Sequence, residues 1–302
     1  MLYLRTQLAE KLSSNVVTVA IAGSFGRLEG SATSDADYIL IVKDTKLAKV
    51  RPDKDLINAV IKRYDGVSPP NKRGVFSHAR TVQQLLESAG RANESYDLLG
   101  KRMLLLLESR AAYHDRAYAD LMKKVFSKYA EYLKSDSGKE YVFLLNDLIR
   151  YFRFICVNYQ ASFWRENEKW VIRNLKLRHS RVIMYAGLLF LIGEASKYHE
   201  QDKISFVRDH LKLTPLERLG LVYQQNNDHS FFRLIGLYNV FLSRLSDKQW
   251  RKNLNVDYDE RYTLSEFSEM KANSDALVSE LLRFVFARRG QWSDRFFEYL
   301  LF

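Results

Sequence analysis

The chain has one cysteine, Cys156, four prolines and 13 glycines in 302 residues. A lone thiol closes no intrachain disulfide, which excludes a disulfide-stapled secreted scaffold and points to a reducing compartment. So little proline and glycine excludes fibrous and low-complexity chains. No apolar run approaches the ~20 residues needed to span a bilayer. The longest uncharged stretch of the apolar C-terminal half, Val182 to Gly193, is bracketed by Arg181 and Glu194. The first residues include Arg5, Glu10 and Lys11 and lack the apolar core of a signal peptide. The six histidines show no His-Glu-x-x-His or other metal spacing, and no Gly-x-Ser-x-Gly nucleophile elbow occurs. The expectation is a cytoplasmic protein that engages no membrane, with its histidines and Cys156 in structural roles.

What is present suits a large soluble core: 47% hydrophobic and 27% charged residues, enough for one large or two ordinary domains. The net charge is +11, from 47 Lys and Arg against 36 Asp and Glu. A basic balance favours anionic partners such as nucleic acid, nucleotide phosphates or a membrane surface. The excess is spread over both halves without a tail or polybasic block, so solubility alone accounts for it equally well.

Apolar spacing at Leu4, Leu8 and Leu12 predicts a helix over Leu2 to Leu12. Val16 to Ala22 is a nearly continuous β-branched run and reads as a buried strand. After a Gly- and Ser-rich turn, Tyr38 to Val42 reads as a second, and Leu56 to Tyr64 is helical by period. Pro69-Pro70 breaks the chain, and Gly74-Val75-Phe76 has the look of a short third strand. Helices are predicted at Thr81 to Ala89, Lys101 to Ser109 and Tyr118 to Leu133. Ser135 to Gly138 is the candidate boundary. Beyond it come helices over Glu140 to Arg165 and Lys169 to Ser196, a pair within Ile204 to Leu245, and one over Leu264 to Ala287. An aromatic stripe (Tyr151, Phe152, Phe154, Tyr159, Phe163, Trp164) is expected in the core. The resulting layout is an α/β (α+β) domain with a small mixed sheet over residues 1–137, then an all-α helical bundle over 138–302.

The segment with chemical content runs from Ala22 to Ile41, between the two strands. Gly23-Ser24 opens a turn where glycine lets the backbone approach a ligand, and a turn entering a helix aims N–H groups at phosphate oxygens. Asp35 and Asp37 sit at i and i+2, which strand periodicity puts on one face about 7 Å apart. Two carboxylates so placed suit a divalent cation of the kind phosphoryl transfer employs. The glycines at 23, 26 and 30 do not form G-x-G-x-x-G, and no Gly-Lys-Ser/Thr follows, so neither a dinucleotide fingerprint nor a P-loop is present. The plainer alternative is a Ser- and Asp-rich surface turn.

Gly23-Ser24-Phe25-Gly26-Arg27 and Ser34-Asp35-Ala36-Asp37 resemble the signature of the DNA polymerase beta-like nucleotidyltransferase superfamily. More narrowly, they resemble the bacterial uridylyltransferases that modify the nitrogen-regulatory PII protein, and their uncharacterised relatives. Ser77-His78-Ala79-Arg80-Thr81, then Asp97 and Leu105 to Arg110, are similar to a later block of that group. The resemblance covers roughly residues 15 to 115. It implies that residues 1–137 form a nucleotidyltransferase domain moving a nucleoside monophosphate from an NTP, ATP or UTP, to an acceptor hydroxyl on a protein or RNA, with release of pyrophosphate. It further implies that Gly23, Ser24 and Ser34 bind the triphosphate and that Asp35 and Asp37 hold magnesium or manganese. Arg27 would reach a phosphate or, equally, pair with Glu29 or another acidic neighbour. Many superfamily members carry a third metal-binding carboxylate on a following strand. Here no Asp or Glu lies between Asp65 and Glu87, which leaves Asp97 and Glu108 as the candidates.

In the helical half, Asn174, Arg178 and Arg181 share one helical face at i, i+4 and i+7. The resemblance implies that a helical domain closes the nucleotide site, so Arg178 and Arg181 would contact the triphosphate or the acceptor. The alternative is that Asp147 and Glu194 pair with these arginines inside a bundle. Two further functional classes stay open: a non-catalytic module binding nucleotide or nucleic acid, and an interaction subunit of a regulatory or defence system.

Overall fold

The computed structural model describes every residue except 1, 10, 32–33, 65, 71–74, 88, 90–93, 132, 134–139, 162–166 and 302, and every side chain except those and residues 2 and 3. The chain divides into two compact units, Met1–Asp147 and Leu148–Phe302. The Ser135 to Gly138 break lies outside the described residues, and the division between the units falls within the helix that follows it, Val142–Ala161. Among the described residues, no helix is long and apolar enough to cross a membrane.

The first unit runs α1 (Leu2–Ala9), β1 (Val16–Ile21), α2 (Gly23–Gly26), β2 (Tyr38–Val42), α3 (Leu47–Ile61), α4 (Val82–Glu87), α5 (Tyr96–Glu108), β3 (Arg110–Tyr113) and α6 (Asp115–Ala130), and ends in the first turn and a half of α7 (Val142–Ala161). The β-branched run of β1 and the Tyr-Ile-Leu-Ile-Val run of β2 pair antiparallel, from Ile21 opposite Tyr38 to Val16 opposite Val42. The strand order is β2-β1-β3, with β3 also antiparallel to β1. The sheet is therefore antiparallel rather than mixed. Among the described residues, parallel pairing is confined to two isolated bridges, Asp35 with Ser68 and Ile41 with Arg80.

The strand expected at Gly74 to Phe76 is not the third strand. Val75 and Phe76 lie in a turn, and Gly74 is outside the described residues. Three residues without alternation cannot sustain a ladder; instead the chain meets β2 at Arg80, which accepts from Val42 N (3.0 Å) and donates to Leu40 O (3.2 Å). At the other margin Arg5 of α1 donates through Nη2 and Nε to the carbonyl of Ala111 in β3 (2.9 and 3.3 Å).

Leu4 and Leu8 of α1 and Val50, Ile57, Val60 and Ile61 of α3 form one core cluster with Val19, Ile21 and Leu40 of the sheet. Burial of both strands along nearly their whole length is what their continuous apolar pattern calls for. α5 is buried from Leu99 to Glu108. Its Arg102 donates to Glu94, to Tyr129 Oη (2.7 Å) and to Asp147 Oδ2 (2.8 Å), all buried. Asp147 is thus a partner of Arg102.

The second unit takes up the rest of α7, then α8 (Trp170–Lys176), a π-helical turn (Leu177–Arg181), α9 (Val182–Ala195), α10 (Glu200–His210), α11 (Pro215–Gln225), α12 (Phe231–Ser246), α13 (Lys248–Asn253), α14 (Ser265–Ala287) and α15 (Asp294–Leu301). The predicted pair between Ile204 and Leu245 is three helices. Thr214 and Glu217 form a reciprocal capping box with Pro215 in the first turn, which starts α11 afresh. The predicted Lys169 to Ser196 helix contains the π-helical turn. α9 is apolar on all sides and buried from Ile183 to Ala195 apart from Tyr185, as such a sequence requires. Of the aromatic stripe, Tyr151 is buried, Phe152 stacks on Tyr185 (centroids 4.4 Å apart), and Phe154 is exposed. Phe163 and Trp164 lie outside the described residues.

Candidate functional site

At the end of β1 the chain turns through Gly23, whose φ of +65° is a left-handed conformation that glycine adopts without a Cβ penalty. The turn lies against the start of β2. Ala22 N donates to Asp37 O (2.9 Å), which extends the β1–β2 ladder by one step. A Cβ at Gly23 would sit 2.9 Å from Asp37 Oδ2. The two parts of the motif, 14 positions apart in sequence, are therefore in contact, and the missing side chain at Gly23 is what makes room for the carboxylate. Asp37 is half-buried and Asp35 exposed, while Asp35 is fixed by its bridge to Ser68 and by Ala36 N donating to Ser68 O (2.8 Å).

The turn rests on the C-terminal end of α5. Gly23 N donates to Glu108 Oε1 (3.2 Å). A Cβ at Gly26 would lie 2.0 Å from the backbone oxygen of Glu108 and 2.9 Å from that of Ile21, so only glycine permits this approach. Arg27 donates through Nη1 to Glu108 and through Nε to Glu29 (2.7 Å), with its side chain 5% exposed. Arg110 Nε donates to Gly26 O (3.2 Å). Of the two expectations for Arg27, the ion pair is the one observed, and it is buried rather than superficial. Arg27 builds the turn instead of presenting a charge to solvent. The N–H of Gly23, expected to face a phosphate, is taken by Glu108.

Ser24 is half-exposed at the first turn of α2. Ser34 shapes the segment ahead of the aspartates: Ser31 N donates to Ser34 Oγ (3.0 Å) and Ser34 N to Ser31 O (3.0 Å). Gly23, Ser24 and Asp37 are thus grouped at one end of the β1–β2 pair, with Asp35 and Ser34 just before it in the chain. Arg178 and Arg181 belong to the second unit. There Arg178 donates to Asn174 Oδ1 (3.1 Å) and to Asp275 Oδ1 (2.9 Å), and Arg181 Nη1 approaches Met184 Sδ at 3.6 Å. Glu194 bonds to Lys197, Asn226 and Trp292 rather than to either arginine.

The donor set can be weighed against the divalent ion that the motif implies. Magnesium is commonly held by one or two carboxylates and completed by water and substrate phosphates, and Asp35 and Asp37 meet that requirement with hard oxygen donors. Neither candidate for a third carboxylate joins them: Glu108 binds Arg27 and Gly23 N, and Asp97 binds Arg80 (2.7 Å) and Lys101. Among the described residues no group of three or more His, Cys, Asp or Glu is arranged to hold a metal. His179 has structural partners, with Nδ1 near Leu175 O (2.8 Å), Nε2 near Asn273 Oδ1 (3.0 Å) and its ring stacked on Phe241 at 4.1 Å. Burial pushes its pKa below the usual histidine value.

No sequence signal assigned Glu108 to the support of the turn. Its place two residues before β3 carried the information only once β3 was known. No family model matches the chain, and no curated protein matches it.

Proposed function

We propose that the protein is a cytoplasmic, magnesium-dependent nucleotidyltransferase that moves a nucleoside monophosphate from ATP or UTP to a hydroxyl of a protein or RNA and releases pyrophosphate. The observation that carries this reading is the contact between Gly23 and the Asp37 carboxylate, which joins a glycine-serine turn and a pair of aspartates at one end of two buried strands. Asp35 and Asp37 would hold the ion, Ser24 and Ser34 would bond phosphate oxygens, and Arg27 and Glu108 would keep the turn rigid from behind. A bound divalent ion neutralises phosphate charge and favours in-line attack on the α-phosphorus. The chain's own contribution would be positional: it holds the Asp37 carboxylate beside the Gly23 turn, with Asp35 two residues before it.

The test is pyrophosphate release from each of the four NTPs with magnesium, with and without total cell lysate as the source of acceptor. Release should require the lysate, and Asp35→Ala/Asp37→Ala should lower it by about a hundredfold or more with an unchanged melting profile. Full activity in that variant overturns the assignment.

A second reading, nucleotide binding without transfer, is favoured by one observation: Glu108 and Asp97 are both engaged in ion pairs. Magnesium-independent NTP binding with no pyrophosphate release under any of these conditions would select it.

A further inference from the structure

Toward the end of α5 remote from the Gly23 turn, two cations meet on one carboxylate and a third acts on one of them. Arg80 Nε donates to Asp97 Oδ2 (2.7 Å), and the buried Lys101 donates to Asp97 Oδ1 and to the carbonyl of Val75. Lys54 of α3 donates to the carbonyl of Ser77, two residues further along that turn. His78 follows, exposed, with Nδ1 against Ser77 Oγ (2.8 Å). The segment is pinned to the sheet where Arg80 bridges Ile41, so the cluster is built from α3, the Val75–Arg80 turn and α5. Along the axis of α5, Asp97 lies about 16 Å and Lys101 about 10 Å from the Glu108 end.

The charge here does not balance. Among the described residues three full positive charges lie in this cluster with one carboxylate, Asp97, and the carbonyls of Val75 and Ser77 supply only partial negative charge. Like charges held close in a half-buried place repel strongly unless an anion offsets them. The repulsion registers on Lys101. Burial, first, pushes the Lys101 ammonium down to about 8; Asp97 opposes this, while Arg80 and Lys54 add to it. Burial likewise lowers Lys54, against the opposing field of Asp55; that carboxylate is exposed and lies 3.7 Å from Arg51 Nε. Arg80 and Asp97 keep 25% and 20% of their side chains exposed, so the cluster can be reached from solvent.

We propose that Lys54, Arg80 and Lys101 form a site for a phosphate group, separate from the Gly23–Asp37 turn. The net excess of two positive charges matches a dianion, whereas a carboxylate would leave one charge uncompensated. The planar fork of Arg80 and the point charge of Lys54 offer the donors that phosphate oxygens use. This site does not depend on nucleotidyl transfer, since it shares no residue with the aspartate pair.

The experiment is calorimetric titration of the full chain, without magnesium, using inorganic phosphate and glycerol phosphate as probes for a free and an esterified group. Lys54→Gln and Arg80→Gln should each weaken binding about tenfold. Asp97→Asn should tighten it several-fold, because it removes the competing anion, and Asp35→Ala/Asp37→Ala should leave it unchanged. Near pH 8 binding should take up protons as the anion raises the Lys101 pKa, seen as heats that differ between buffers of different ionisation enthalpy. Melting curves establish folding, and Lys54→Gln, in a half-buried side chain, decides the matter if Arg80→Gln unfolds. Absence of binding at about 1 mM probe, or binding lost with the aspartate pair but kept in Lys54→Gln, overturns the proposal.

Discussion

The two ends of α5 carry ion clusters of opposite balance. At the C-terminal end one guanidinium, Arg27, serves two carboxylates, Glu29 and Glu108, with Gly23 N and Arg27 sharing Glu108. At the N-terminal end Arg80 and Lys101 share Asp97, and Lys54 acts on Lys101. The first cluster is sealed: the side chains of Arg27, Glu29 and Glu108 are at most 8% exposed, and its bonds end on the backbone of the turn they support. The second opens to solvent through Arg80 and Asp97 and holds charge that the described residues do not neutralise. Both are conspicuous ion clusters, yet one is scaffolding for a site and the other has the chemistry of a site.

Breaking that comparison starts where the expected effect is largest. Arg27→Met takes the guanidinium from the buried Glu29 and Glu108 carboxylates, and loss of about 3–5 kcal/mol of stability is expected in urea unfolding. Gly26→Ala comes next: a methyl at 2.0 Å from a backbone oxygen has no flexible neighbour to displace, and about 3 kcal/mol should be lost. Gly23→Ala should be milder, about 1–2 kcal/mol for a left-handed backbone, because the nearest atom belongs to the Asp37 side chain and can yield. Its larger signature should be weaker nucleotide binding, as the carboxylate is pushed from its place.

The smallest effect is at the other end, and its sign identifies it. Lys101 falls from the ordinary 10.5 to about 8 in the folded chain. Between those values the unfolded chain binds the proton and the folded chain does not, so stability rises with pH from about 8. Tyr38, Tyr129 and Tyr223 have pKa values pushed above the usual 10.0, burial being the first cause in each. Their stabilising contribution is lost above about 10, which closes the window. In Lys101→Met the rise between pH 8 and 10 should flatten while stability at pH 7 changes little. A large loss at pH 7 would mean that the two ends are built alike after all.

How far these features could be read from sequence depended on their reach along the chain. β1 and β2 were legible because a buried strand leaves a continuous apolar run. β3 was not, since Arg110-Ala111-Ala112-Tyr113 is four residues with two alanines, and its strand state comes from pairing with β1. The Gly-Ser turn and the aspartates were legible as a motif; their contact was not, because it depends on an antiparallel return that sequence spacing leaves open. The ion clusters were the least legible. Glu108 meets Arg27 across 81 positions and Arg80 meets Asp97 across 17, and no periodicity links such pairs. In the second unit, the apolar α9 announced a buried helix. The start of α11 was missed where Thr214-Pro215-Leu216-Glu217 spells a capping box, a local signal that sequence reading could have used.

The margins of the sheet have a consequence of another kind. A small sheet ordinarily leaves two rows of unpaired amides and carbonyls, each a template for a second chain. Here the β2 side is met at two points by Ser68 and Arg80, and on β3 the guanidinium of Arg5 holds the Ala111 carbonyl. Strand addition by a neighbouring molecule would have to displace a charged helix residue on one side and a pinned chain segment on the other. In a crowded cell that is protection against edge-to-edge aggregation, obtained from a bent connection and one arginine rather than from closing a barrel.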